Sequence, residues 1–253
     1  LGGGNDGALP LFGNIDISAD FDQIRLRDGV DISAASLDAI FAGPVLNFLD
    51  LAGALNDVDP FALEIRSNDD DSRSLNASVS NAGGLLTAMF GGDIVKGGEL
   101  SVTGTLRDGE SRTDLNINIR NTRLANAPLL TQILSLASLR GLADVMAGDG
   151  ILFSSVNVPL MIDNSGYYIP GAKASGPALG FTAKGSILDG GKDLTLDGVL
   201  VPSFGTNSAL GGIPIIGDLF VSRDGEGVFA ITYSVRGSIE EARIAVNPLS
   251  GIL

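Results

Sequence analysis

The sequence predicts a mainly β protein with a few short helices: an elongated, twisted antiparallel sheet curled into a groove, with the helices capping it. A β-sandwich is the alternative arrangement of the same strands. Three observations carry this reading. Apolar and polar residues alternate with period two over most of the 253 residues, the pattern of a sheet with one dry face and one wet face. Asp-Gly recurs between strand-like runs in Arg27-Asp-Gly29, Arg107-Asp-Gly109 and Arg223-Asp-Gly225, where glycine supplies the positive φ of a tight hairpin. Aromatic residues make up only 6% while glycine reaches 35, so no deep aromatic core is advertised, which suits an extended curved sheet better than a compact sandwich.

The strands follow in order. Ile15, Ile17 and Ala19 alternate with Asp16 and Ser18; Ile24 and Leu26 alternate with Arg25 and Arg27; Leu115, Ile117 and Ile119 alternate with Asn116, Asn118 and Arg120. On this basis strands are expected near 14–21, 23–32, 61–67, 74–81, 98–107, 112–121, 150–162, 166–174, 177–188, 193–201, 226–236 and 238–247. The period changes between Pro128 and Met146, where Leu129, Leu130, Ile133, Leu134, Leu136, Leu139, Leu142 and Val145 recur at steps of three and four. Pro128 suits the first turn of this helix and Gly148 its end, with Gly141 expected to break it into two pieces. Val45 to Leu55, Leu85 to Phe90 and Ala209 to Phe220, the last split by Pro214, read as further short helices.

Composition removes whole classes of function. Zero Cys excludes thiol chemistry, disulfides and thiolate-bound metals, and zero His removes the commonest general base and zinc ligand. A Cys-free chain also fits an oxidising compartment. With 30 acidic against 16 basic residues the net charge is −14, which opposes nucleic-acid binding because phosphates call for clustered Lys and Arg. The imbalance is concentrated before residue 127, where 19 acids face 9 bases; beyond it 11 face 7, so the half carrying the apolar helices repels an anionic membrane less. No run reaches the roughly 18 apolar residues of a spanning helix. The chain opens on Leu1 with no signal pattern and reads as a piece of something longer.

The remaining polar clusters read as structure. Asp69-Asp-Asp71 lacks the spacing of a calcium loop and reads as a solvated hairpin tip. Glu110, Glu226, Glu240 and Glu241 sit beside turns or strand ends with no spacing that would pair them for glycoside cleavage. The glycine runs at Gly2 to Gly4 and Gly211-Gly212 lack the strand–helix context and lysine of a phosphate loop. Tyr233 reads as a ring packed at the sheet margin with a bonded hydroxyl, and Asn247-Pro248 as the turn ending the last strand. No catalytic, metal or cofactor residue emerges, and the chain is expected not to be an enzyme.

One resemblance adds to this. The C-terminal segment combines GGIPIIGDLF (Gly211 to Phe220) with the strand-like GVFAITYSV (Gly227 to Val235) and ARIAVN (Ala242 to Asn247), closed by Pro248-Leu-Ser250. Two further passages are NTRLANAPLLTQILSLASLRGLADVMAGDGILF (Asn121 to Phe153) and AGGLLTAMFGGDIVKGGELSVTG (Ala82 to Gly104). Together, over about residues 75–253, they resemble the C-terminal region of the AsmA-like proteins (the AsmA, YhdP and TamB type), large bacterial envelope proteins that move phospholipid between membranes. The resemblance implies a groove whose apolar wall shelters acyl chains while the headgroup stays outside. It implies a periplasmic location in an inner-membrane-anchored protein. The partners it implies are phospholipid, the inner or outer membrane and other envelope proteins. Expected lipid or membrane contacts are Leu129, Leu130, Ile133, Leu134, Leu136, Leu139, Leu142 and Val145 in the first helix, and Ile213, Ile215, Ile216, Leu219 and Phe220 around Pro214. A single Arg140 on the first helix favours capping over membrane docking, since interfacial helices carry several basic residues. Strand templating of outer-membrane barrels and a shallow carbohydrate hydrolase are the rival readings.

Overall fold

A computed structural model of the chain describes residues 13–27, 30–70, 72–107, 112–202 and 230–249. In order these form β1 (Asn14–Arg27), β2 (Val30–Ala42), β3 (Val45–Leu55), β4 (Asp59–Ser67), β5 (Ser72–Val79), α1 (Ala82–Phe90), β6 (Val95–Lys96), β7 (Glu99–Arg107) and β8 (Arg112–Leu124). There follow α2 (Pro128–Leu136), α3 (Arg140–Ala147), β9 (Ile151–Asp163), β10 (Gly166–Ser175), β11 (Leu179–Leu188), β12 (Asp193–Pro202), β13 (Ala230–Gly237) and β14 (Ala242–Leu249). All 14 strands belong to one antiparallel sheet with neighbours in chain order, β6 continuing the lane of β7 beside β8. The sheet is curled but not closed into a barrel. One sheet, not two facing ones, replaces the sandwich alternative. No helix among the described residues is long and apolar enough to cross a membrane.

Register turns the period-two pattern into two faces. Phe61 lies opposite Val79, then Leu100, Ile119, Val156, Ala174, Phe181, Leu200, Ile231 and Pro248, a single apolar row from β4 to β14. A second row runs Ala19, Leu37, Leu51, Leu63, Ala77, Val102, Ile117 and Val158. Next to the second row lie polar positions of the other face, such as Asp50, Glu64, Asn76, Thr103 and Asn116 in one register line. Cross-strand neighbours about 5 Å apart make each row a continuous stripe.

The three α-helices among the described residues sit at one end of the strands. The helix-bearing reversals 80–98 and 125–150 lie at that end beside short ones at 28–29, 56–58 and 176–178, whereas the other end carries short connections throughout, such as 68–71, 108–111, 164–165, 189–192 and 238–241. Pairing of Arg27 with Val30 and of Arg107 with Arg112 brackets two of the expected Asp-Gly turns, whose own residues, like Arg223 to Gly225, lie outside the described ones. α1 touches β1 and β2, and α2 touches β14, so the helices reach both edges of the curled sheet from inside it. Leu55, Leu134, Met146, Phe153, Leu179, Leu200 and Ile231 are completely buried there, with Phe153 edge-on to Phe181 at 5.4 Å.

Three expectations are corrected. Val45–Leu55 is a strand, not a helix. Its Leu49, Leu51 and Leu55 face inward opposite Ala39, Leu37 and Ile32, while Phe48 and Ala52 fill polar-face positions and hide the alternation. Phe48 can be apolar on the wet face because the Arg66 guanidinium lies 4.9 Å over its ring. The strand expected at 23–32 is divided between β1 and β2, and β2 runs on to Ala42. Asn247-Pro248 is not a turn: both residues pair with β13, on an edge strand where the missing proline N–H is harmless.

Candidate functional site

The inner apolar face is the candidate site, and it has two zones. At the helix end it is filled. Pro128 opens α2 at its first turn as expected, but the break before α3 falls at Ser138, which takes φ 62°, while Gly141 lies inside α3. This bend folds α3 back so that the Asn126 N–H donates to the Met146 carbonyl at 2.8 Å. α1 is held through its first turn, where Ala82 and Gly83 donate to the carbonyls of Gly98 and Gly97 at 2.7 and 3.1 Å. Both acceptors adopt positive φ in the kink that separates β6 from β7. Asn81 caps the helix, its Oδ1 accepting from Gly84 N–H at 3.0 Å.

Toward the short-turn end, the same face carries Leu63, Leu75, Leu106, Leu115, Leu160 and Ile162, all half-buried. Along β1, the inward residues Ile15, Ile17 and Phe21 are about 40% exposed. This second zone is an apolar wall with water access. A separate concavity of about 360 Å³ lies by Asp16, Ser18, Asp38 and Ile40, mostly polar-face residues of β1 and β2, and does not belong to the wall.

The expected contact residues divide sharply. Ile133 and Leu134 are buried in the core; Leu129, Leu130, Leu139 and Leu142 are half-buried against it; Leu136 and Val145 are 57% and 46% exposed. Ile213, Ile215, Ile216, Leu219 and Phe220 lie outside the described residues. Sequence reasoning missed the exposed Met89, Phe90 and Ile94 around the end of α1, because that helix was read only as a short apolar run. It also missed Arg73, whose register partner Leu106 places it on the inner face. Parity along β5 from Val79 would have found it.

Tyr233 lies on the inner face, not at a margin. Its ring covers Gly198, where a β-carbon would come within 2.4 Å of the phenol, and its hydroxyl donates to the Thr182 carbonyl at 2.8 Å. Burial, then the nearby Asp197 carboxylate, raise its pKa well above the usual phenol value.

The outer face is polar and satisfied by short-range partners. Asn157 donates to the side-chain oxygens of Asn116 and Asn118 at 2.6 and 2.8 Å. Arg236 grips Asp197 with two bonds of 2.8 and 2.9 Å. Desolvation of Asp114 would raise its pKa, but hydrogen bonds from Arg112 and Arg107 outweigh it and hold the carboxyl below its ordinary range. At the hairpin tip, Asp70 is likewise lowered by hydrogen bonds from the Ser72 hydroxyl and N–H, so it serves the turn. Glu240 and Glu241 are exposed in the β13–β14 connection.

Compared with known protein families, curated proteins and solved structures, the chain matches none. Its function is therefore argued from its own geometry.

Proposed function

We propose that this chain is a non-enzymatic carrier of phospholipid between the inner and outer bacterial membranes, sheltering acyl chains on the inner face of the curled sheet. The observation that carries the reading is the unbroken apolar wall, which passes from strand to strand in register and is half-exposed across β5 to β9 beyond the helices. An acyl chain crossing water exposes apolar surface at roughly 0.8 kcal/mol per CH₂, so a continuous trough lowers the barrier to its passage. Soluble proteins rarely leave an apolar face of this extent uncovered. The resemblance to AsmA-like proteins points the same way and supplies the periplasmic setting.

The test is the lipid content of gently purified protein. Native mass spectrometry is expected to find phospholipid bound to the full chain. Protein that carries no lipid, and extracts none from phospholipid vesicles, would refute the proposal.

A second reading rests on a separate observation: β1 and β14 have no further strand beside them among the described residues, so each offers an edge on which another chain could add a strand. Crosslinking to barrel proteins with no bound lipid would favour it.

A further inference from the structure

We infer that the β1 edge is a docking site for an extended strand of another protein, one that alternates apolar residues with Lys or Arg. The inference rests on the edge observation of the second reading and goes beyond it, choosing one edge and the chemistry of the partner. It is independent of the carrier reading.

The two edges are not equivalent. β14 has eight residues, carries Pro248, and keeps its apolar Ala242, Ile244 and Val246 half-buried. β1 has fourteen residues and neither proline nor lysine. From Asn14 to Arg25 every residue except Ala19 and Ile24 is exposed, the apolar Ile15, Ile17 and Phe21 included. Natural sheets blunt their edges by shortness, proline, lysine or a covering element. β1 has none of the first three. An added strand would pair with its backbone and extend its inward apolar row.

The outer side of the same edge sets the charge of the partner. Ser18, Asp38, Asp50 and Glu64 lie in one register line from β1 to β4, and Asp16 and Asp20 flank Ser18 on the same side of β1. Like charges directly opposite one another destabilise a sheet. Glu64 is bonded to Arg66 at 2.8 Å, but Asp16, Asp20 and Asp38 have no ion pair or side-chain hydrogen bond among the described residues. Cations from another chain would relieve this repulsion.

The concavity of about 360 Å³ lies at this place, with Asp16, Asp38, Ile40 and Phe48 in its lining. It suits a Lys or Arg side chain, whose stem would lie on Ile40 and Phe48 while its head meets the two carboxylates. The Phe48 ring already carries Arg66 in this manner, at 4.9 Å. A second copy of the chain is a poor partner. Its net charge is −14, and its other edge, β14, offers a single base, Arg243. The carboxylates thus repel the wrong strand and attract the right one.

The probe is a labelled synthetic peptide as long as β1 that alternates valine with lysine. It is compared with a peptide carrying glutamate in place of lysine and with the lysine peptide methylated on its backbone amides. Binding to the full chain is read by fluorescence anisotropy and located by hydrogen exchange. The lysine peptide should bind and protect amides of β1 but not of β14, and the two control peptides should bind far more weakly. Asp16→Asn combined with Asp38→Asn should weaken binding roughly tenfold, as the loss of two exposed charge pairs would. Both sites are exposed and unpaired, so the variant should keep its melting temperature. Equal binding of the lysine and glutamate peptides, protection at β14 in place of β1, or undiminished binding by the variant would overturn the inference while leaving strand addition standing. Undiminished binding of the methylated peptide would mark charge attraction alone and overturn it too, as would self-association of the chain through β1. No peptide at either edge would refute this inference and the second reading together, while the lipid test would still decide the carrier reading.

Discussion

At the scale of single residues, the fold depends on a few close approaches that tolerate little change. Gly198 is the tightest: a β-carbon there would fall 2.0 Å from the Thr182 carbonyl oxygen as well as into the Tyr233 ring. Gly198→Ala should therefore cost at least the 1–3 kcal/mol typical of overpacking, read as a lowered thermal midpoint. Tyr233→Phe keeps the ring over the glycine but strands the buried Thr182 carbonyl, so a loss of about 1–2 kcal/mol is expected, or a few degrees of melting temperature for a chain of this size. Leu134 has no exposed surface, and Leu134→Asp would bury a carboxylate with no partner. It should unfold the helix end or lower stability by several kcal/mol. Leu136→Asp, at an exposed position of the same helix, should leave the melting temperature nearly unchanged. If the two substitutions behave alike, α2 does not pack as described.

At the scale of elements, α1 and the β6–β7 kink form one unit. A β-carbon on Gly83 would meet Gly97 N and Val95 O, both at 2.6 Å, so Gly83→Ala should push α1 away from β6. Hydrogen exchange is expected to quicken at the Ala82 and Gly83 amides and not in β12–β14. The β7–β8 hairpin carries a pH signature with a definite sign. Asp114 is held below its ordinary pKa of 3.8 by Arg112 and Arg107, so its contribution is fully present above about pH 4 and is lost as pH falls through the lower folded value. Asp114→Asn should make that acid limb shallower. The effect is small because the group is partly exposed.

At the scale of the whole molecule, the sheet was legible in the sequence wherever polar residues held every second position, as in Leu115 to Arg120. It was illegible where the outer face is itself apolar: Phe48, Ala52 and Ala54 in β3 erase the alternation, and only pairing with β2 and β4 restores it. The helix break was misplaced because Gly141 is the obvious weak point by propensity, yet tertiary packing of α3 demands the left-handed turn three residues earlier, at Ser138. The apolar helix residues were visible one by one, but their division into buried Leu134 and exposed Leu136 depends on where both edges of a curled sheet arrive. Arg73 was overlooked for the same reason, since its face is defined by its neighbours on other strands.

The central claim is that the inner face, and not the outer, receives acyl chains. Because the chain has no cysteine, single cysteines can be placed at will. Leu115→Cys on the inner face and Asn116→Cys on the outer face differ by one residue and by one side of the sheet. Each is labelled with an environment-sensitive fluorophore and titrated with phospholipid. The carrier predicts a blue shift from the label at position 115 and none at 116; equal responses, or none at 115, would contradict it.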